Sequence, residues 1–344
     1  MSTINSEREL PSRTSILVAA ARAFGSRDPD LGVRNPDLLA DKLIGSEELA
    51  LISDHPLSKA LMQDYAEASE IPAVAFFVSL MILRTRFIDE ALERALENGA
   101  NQIVILGAGF DSRPYRFRDA LKGCRVMEVD GRSTQKYKKD RASKVLGQAP
   151  PNLTYVTVDF DTDDLAAALV MAGFRERQRS FFIWEGVSMY LSAASVRRTL
   201  QTISSLSAAG SSVVLDYANS LGINLTKQST AGPVGLAASW GEPWIFGVPG
   251  TTGEPFFREL GFDPGTPVSM NNPEVMKRFA VRHDGTTYAA HVMKRVMAEA
   301  AAARANVDRV TAESSSLLET QKALAAAGGV YWLTELTVLD TAQP

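Results

Sequence analysis

An α/β protein with a mostly parallel sheet and helices on both faces is what this sequence predicts, and three observations predict it. Short apolar runs recur at residues 103–106, 125–129, 153–158, 181–184 and 211–215, separated by helix-like stretches such as 164–171 and 193–207. This is the rhythm of βα units joined by right-handed crossovers. The first run stops at Gly107-Ala108-Gly109, where two glycines permit a tight turn and let a ligand approach the backbone without meeting a Cβ. The second run then delivers Asp130, at the spacing of about twenty residues where nucleotide-binding α/β folds hydrogen-bond a ribose.

Bulk properties narrow the function classes. The chain has 344 residues, 45% hydrophobic and 22% charged, ordinary values for a soluble globular protein with a large core. A formal net charge of −4 offers no electrostatic footprint for nucleic acid or an anionic membrane. The lone Cys124 excludes an internal disulfide and a cysteine-rich zinc site and fits a reducing compartment. The three histidines, His55, His283 and His291, form no metal-binding pair, so no metal is expected. Residues 1–10 lack the basic-then-apolar pattern of a signal peptide, and the longest apolar run, 71–83, falls short of the roughly twenty residues that span a bilayer. A cytoplasmic location without membrane contact is the expectation.

In chain order, residues 10–24 carry helical apolar spacing and end at Gly25, a C-cap residue. Residues 26–36 read as loop and 37–62 as short helical pieces broken at Asp54-His55-Pro56, where His55 reads as punctuation before a proline rather than as a base. A long helix is predicted over 72–97, with proline in its first turn and Asn98-Gly99 as its stop. Arg84 and Arg86 mark its change from apolar to charged. After the βα units, 218–267 is rich in Gly, Pro, Ser and Thr with aromatics at Trp240, Trp244, Phe246, Phe256 and Phe257. It reads as a lid or pocket wall, or as an excursion with a small core of its own. Helices are expected over 287–305 and 321–327, the latter stopped by Gly328-Gly329, and the alternating 331–338 reads as a closing strand. Three regions follow: a helical cap over 1–98, a ligand-binding core over 99–217, and a lid with the closing strand over 218–344.

The predicted strand ends fall at Gly107, Asp130, Asp159, Glu185 and Asp216, with Asp111 just beyond the first. In open α/β sheets the ligand sits beyond these ends. A rim of carboxylates repels a pyrophosphate and welcomes a ligand carrying a sulfonium, an ammonium and a ribose. S-adenosylmethionine fits that description, whereas NAD and FAD do not. Ser112 also stands where the third glycine of a dinucleotide fingerprint would fall.

The blocks 106–117 (LGAGFDSRPYRF), 128–130 (EVD), 158–160 (VDF) and 184–191 (WEGVSMYL) together resemble the leucine carboxyl methyltransferase family. The likeness covers roughly residues 80–217 in consistent order and spacing, and almost nothing aligns beyond Asp216. It implies a Rossmann-like class I methyltransferase sheet with an N-terminal helical part and an enlarged C-terminal insertion, and S-adenosyl-L-methionine as cofactor. Carried over by position, it implies that Arg84, with Arg86 as the fallback, holds the methionine carboxylate. Gly107, Ala108 and Gly109 would admit the cofactor to the backbone, near Asp111. It further implies that Asp130 takes the ribose, that Asp159 and Phe160 flank the adenine, and that Glu185 sits near the amino group. Tyr190 would lie on the acceptor side, with His283 and His291 as further candidates. Ser112 replaces the commoner threonine.

A carboxylate acceptor is already ionised at neutral pH and needs a grip but no base, whereas a hydroxyl usually needs one. The scarcity of histidine therefore favours an O-methyltransferase acting on the carboxylate of a small, biosynthetic molecule. The alternatives are a protein C-terminal carboxyl methyltransferase, an enzyme for hydroxyl acceptors, an NAD(P)-dependent oxidoreductase and a non-catalytic nucleotide-binding protein. The oligomeric state is not encoded in these patterns.

Overall fold

The structure, a computed structural model, describes residues 10–226, 232–270, 272–305 and 329–340. Among the described residues, eight strands form one sheet: β1 (Gln102–Leu106), β2 (Arg125–Asp130), β3 (Leu153–Thr157), β4 (Ser180–Trp184), β5 (Ser212–Ala218), β6 (Phe262–Asp263), β7 (Val268–Ser269) and β8 (Tyr331–Val338). Their order is β3-β2-β1-β4-β5-β8-β6, with β7 also paired to β8. The first five strands are parallel, and β8 enters antiparallel beside β5. The expected Rossmann-like sheet is therefore present.

Alternation along each strand feeds two cores, because successive side chains point to opposite faces. Val104 and Leu106 join Phe182, Trp184, Val213 and Leu215 on one face, against Val196, Leu200 and Ile203 of the helix Ala193–Leu206. Ile103 and Ile105 join Phe181, Ile183 and Val214 on the other, against Ile88, Leu92 and Ala95 of the helix Pro72–Glu97. A strand buried on both faces must be apolar throughout, which is why β1 and β4 read as unbroken runs.

The helix Pro72–Glu97 starts and stops where Pro72 and Asn98 predict. Its 26 residues rise about 39 Å, enough to serve two cores. The first half, Val74 to Leu83, packs with the helix Arg13–Gly25 and the short helices Ala40–Leu43 and Pro56–Leu61 in an N-terminal core. The second half lies under the sheet.

Other boundaries depart from the sequence reading. β5 continues to Ala218, so Asp216 lies within the strand, paired in register with Leu333 and fully buried. β3 stops at Thr157, leaving Asp159 two residues past its end. The last described helix begins at Ala290, because Thr287 is held in a bridge with Val281. The two-residue β6 and β7 are too short to show a period. The polar helix Arg132–Val145 buries only Thr134, Gln135, Lys138 and Ala142, too few to mark it as amphipathic. The helix expected over 321–327 lies outside the described residues. Among the described residues, no helix is long and apolar enough to cross a membrane, and no group of three His, Cys, Asp or Glu is placed to hold a metal ion.

Candidate active site

Beyond the carboxyl ends of β1, β2 and β4 the molecule encloses a cavity of about 1170 Å³. Its floor is Gly107 to Asp111, Asp130 and Glu185; its roof comes from the N-terminal helices and from Gly241 to Ile245. The turn after β1 needs glycine. Gly107 has φ +65°, and a Cβ there would lie 2.2 Å from Val187 Cγ2, which forces either the turn or Val187 to move. Asp130 closes the turn from β2: its carboxylate accepts from the Gly109 N–H at 2.5 Å and the Gly131 N–H at 2.7 Å. Burial raises the pKa of Asp130, and those two N–H groups oppose the rise.

The acidic rim is not free acid. Three buried arginines, Arg22, Arg84 and Arg113, and the half-buried Arg116 thread through it. Arg84 Nη1 reaches Asp216 at 2.8 Å and donates to the Tyr331 hydroxyl at 2.9 Å. Arg113 bridges Asp89, Asp111 and Glu185 at 2.8, 2.5 and 2.8 Å. Arg22 pairs with Asp37 at 2.9 Å and donates to the Phe110 carbonyl, and Arg116 grips Asp89 at 2.9 Å with two nitrogens. Burial alone would raise the pKa of Glu185, but Arg84, Arg113 and Arg22 outweigh it and hold the carboxyl well below the usual range. Repulsion by an acidic rim, the argument that favoured a cationic ligand, therefore applies only to a much-neutralised surface. Arg84 Nε and Glu185 Oε1 lie 2.9 Å apart, yet off the line of a hydrogen bond, so both are buried without a hydrogen-bond partner.

Of the residues singled out from sequence, Arg84, Gly107, Ala108, Gly109, Asp111, Asp130, Phe160, Glu185 and Tyr190 line this one cavity. Arg86 does not: its guanidinium binds the carbonyls of Leu31, Gly32, Arg34 and Phe279, so of the two arginines Arg84 is the one at the cavity. Asp159 is exposed and turns back to the Asp161 N–H at 2.9 Å. His283 pairs with Asp30 and His291 with Glu70 on the surface, and neither lines the cavity.

The lining also holds His55 and Glu242, which the sequence reading did not place at the site, and Trp244 of the predicted lid or pocket wall. His55 caps the helix Pro56–Leu61, its Nδ1 accepting from the Leu57 N–H at 3.2 Å, and its ring borders the cavity. Burial lowers its pKa, against the pull of Asp54. Glu242 sits on the start of the helix Arg13–Gly25, accepting from the Arg13 N–H at 2.8 Å, the Ser12 hydroxyl at 2.9 Å and Thr14. Trp244 stacks on Tyr331, with ring centres 5.7 Å apart, and meets Tyr190 edge-on. An Asp-His-Pro start and a Trp between Pro243 and Ile245 were visible signals, but nothing local tied them to a strand end.

A model of the leucine carboxyl methyltransferase family matches residues 15–204, the span that builds this floor and most of the roof. The chain belongs to that family. It is 33% identical over 201 residues to a protein of Frankia alni whose name places it among the S-adenosyl-L-methionine-dependent methyltransferases, covering 58% of this chain and 65% of that one. A similarly named protein of Mycolicibacterium paratuberculosis is 34% identical over 211 residues, covering 60% and 64%. The chain thus spans somewhat under two thirds of the curated relatives it matches. Among solved structures, magnesium protoporphyrin IX methyltransferase from Synechocystis aligns at a TM-score of 0.40 and 11% identity, over 76% of this chain and 86% of that one.

Proposed function

We propose that this family member is an S-adenosyl-L-methionine-dependent O-methyltransferase acting on the carboxylate of a small molecule. The single observation that carries the acceptor type is the hydrogen bond that His55 Nδ1 accepts from the Leu57 N–H at 3.2 Å. With Nδ1 occupied as an acceptor, the neutral ring carries its proton on Nε2, where it donates and cannot act as a base. The other titratable groups of the lining are also committed. Asp111 and Glu185 are ion-paired, Asp130 takes two backbone N–H groups, Glu242 takes a helix start, and burial raises the Tyr190 hydroxyl so that it stays protonated. An ionised carboxylate needs no base.

The residues present fit the cofactor. Glu185 Oε1 and Arg84 Nε form a buried ion pair at 2.9 Å on the cavity wall in which neither atom makes a hydrogen bond, leaving each a direction in which to meet an ammonium or a carboxylate. Asp130 has lone pairs left for ribose hydroxyls, and Phe160 has a ring face for an adenine. Bound there, S-adenosyl-L-methionine supplies a methyl group on a sulfonium. The chain positions the acceptor oxygen in line and excludes water under the roof of Ser12, Glu242 and Trp244.

Calorimetry with S-adenosylhomocysteine on the wild type and Asp130→Asn, with NADH alongside, tests the cofactor. Binding that the variant weakens about tenfold, with NADH silent, is expected. NADH binding in its place overturns the methyltransferase reading. A base-labile methyl ester as product supports the carboxylate; a base-stable ether overturns it.

A further inference from the structure

One face of the helix Pro72–Glu97 forms a wall of the cavity: Ala73, Phe76, Phe77, Leu80, Met81 and Arg84. These positions are spaced three and four apart, so they make one stripe roughly 16 Å long. It ends at the Arg84–Glu185 pair, and no side chain between Ala73 and Met81 on that stripe carries a polar group other than thioether sulfur. Leu17 and Leu57 face the same space. At the outer end, Leu10, Phe76 and Ile245 are both lining and unusually exposed, at 48%, 43% and 57%. The cavity also exceeds the roughly 300–1,000 Å³ of ordinary ligand sites, which leaves room for a second molecule beside a cofactor.

Resting on the carboxylate reading above, we infer that the acceptor is an elongated apolar carboxylic acid, its body laid along the Ala73–Met81 stripe and its carboxylate at the Arg84 end. The competing occupant is the extended C-terminus of a protein. At about 3.3 Å per residue, some five peptide units would lie along this wall, and each N–H and C=O facing it would lose water without gaining a partner. A hydrocarbon body loses nothing there and gains by burial of every methylene. The exposed apolar lips follow from the same occupant, since they shield a tail that emerges from the mouth.

The test is calorimetry in the presence of S-adenosylhomocysteine, with straight-chain acids from butanoic to dodecanoic, and a hydrophobic pentapeptide with a free carboxylate. Affinity is expected to rise about fourfold per methylene, with the peptide silent. A flat series, or tighter binding by the peptide, overturns the inference. Phe76→Ser, at a position exposed enough to tolerate it, is expected to weaken dodecanoate about tenfold while leaving butanoate and S-adenosylhomocysteine unchanged. Equal weakening of butanoate overturns it. Methyl ester formation is read separately: acids that bind with the expected slope yet are never methylated uphold the stripe and overturn the proposed reaction.

Discussion

The two ends of the helix Pro72–Glu97 that meet the cavity are built on opposite principles. At Arg84 the wall is polar, with the carboxylates of Asp216 and Glu185 and the hydroxyl of Tyr331 around a single guanidinium. Two turns earlier, at Phe76 to Leu80, the wall has only shape and apolar area. Directional, desolvated pairs fix a ligand's orientation but tolerate little change. An apolar wall grades affinity by area and accepts variation. One end is thus suited to a constant ligand and the other to a variable one.

Four changes sharpen or break that contrast. Glu185→Gln has the largest expected effect, because it removes a buried carboxylate shared by Arg84 and Arg113, leaving each with one acid fewer. Stability should fall by about 3–5 kcal/mol in denaturant melts, and S-adenosylhomocysteine affinity by more than tenfold; a variant as stable as wild type would show that the charged end is not pre-organised. Gly107→Ala forces a side chain into a left-handed turn against Val187, at a cost of about 1–3 kcal/mol, and should weaken the same ligand. Leu80→Ala, on the apolar wall, should lower kcat/KM for a long acid about tenfold, as expected for a truncated leucine contact, with S-adenosylhomocysteine affinity kept. Equal losses of both would merge the two ends into one.

The smallest effect is pH-dependent. Burial favours neutral His55 in the folded state, so its contribution is full above the free-histidine pKa of about 6.5 and is lost as pH falls through the lower folded value. Protonation also removes the Nδ1 acceptor, a cap worth about 1 kcal/mol. Thermal melts of the wild type should drop between neutral and mildly acidic pH by more than those of His55→Asn, which caps without titrating. Parallel curves would remove His55 from the argument.

The sheet was legible because a strand covered on both faces has to be an unbroken apolar run, and the helix Pro72–Glu97 because proline and Asn-Gly bracket it. The glycine turn and Asp130 were legible because local backbone geometry demands them. The ion lattice was not. Arg22, Arg84 and the Arg113/Arg116 pair are separate in sequence, and their long side chains converge only when three layers stack. One signal did exist: Arg22 interrupts the buried run Ala19-Ala20-Ala21 and Ala23-Phe24, and an arginine in such a place has to be answered by a buried acid. In the sequence Asp216 reads as a strand end, because the apolar run stops there. Pairing with β8, more than a hundred residues away, carries the strand past it.

That distant pairing orders events during synthesis. Tyr331 donates to Asp216 and accepts from Arg84, so the charged end of the cavity lacks a wall until the ribosome has released β8. The separation of 115 residues, at translation rates of about 5–20 residues per second, leaves a nascent chain on the order of ten seconds with Arg84 and Asp216 present but their last partner unmade. Completion of this wall is in this sense a late event in the life of the polypeptide, set by one tyrosine far downstream of the strand it serves.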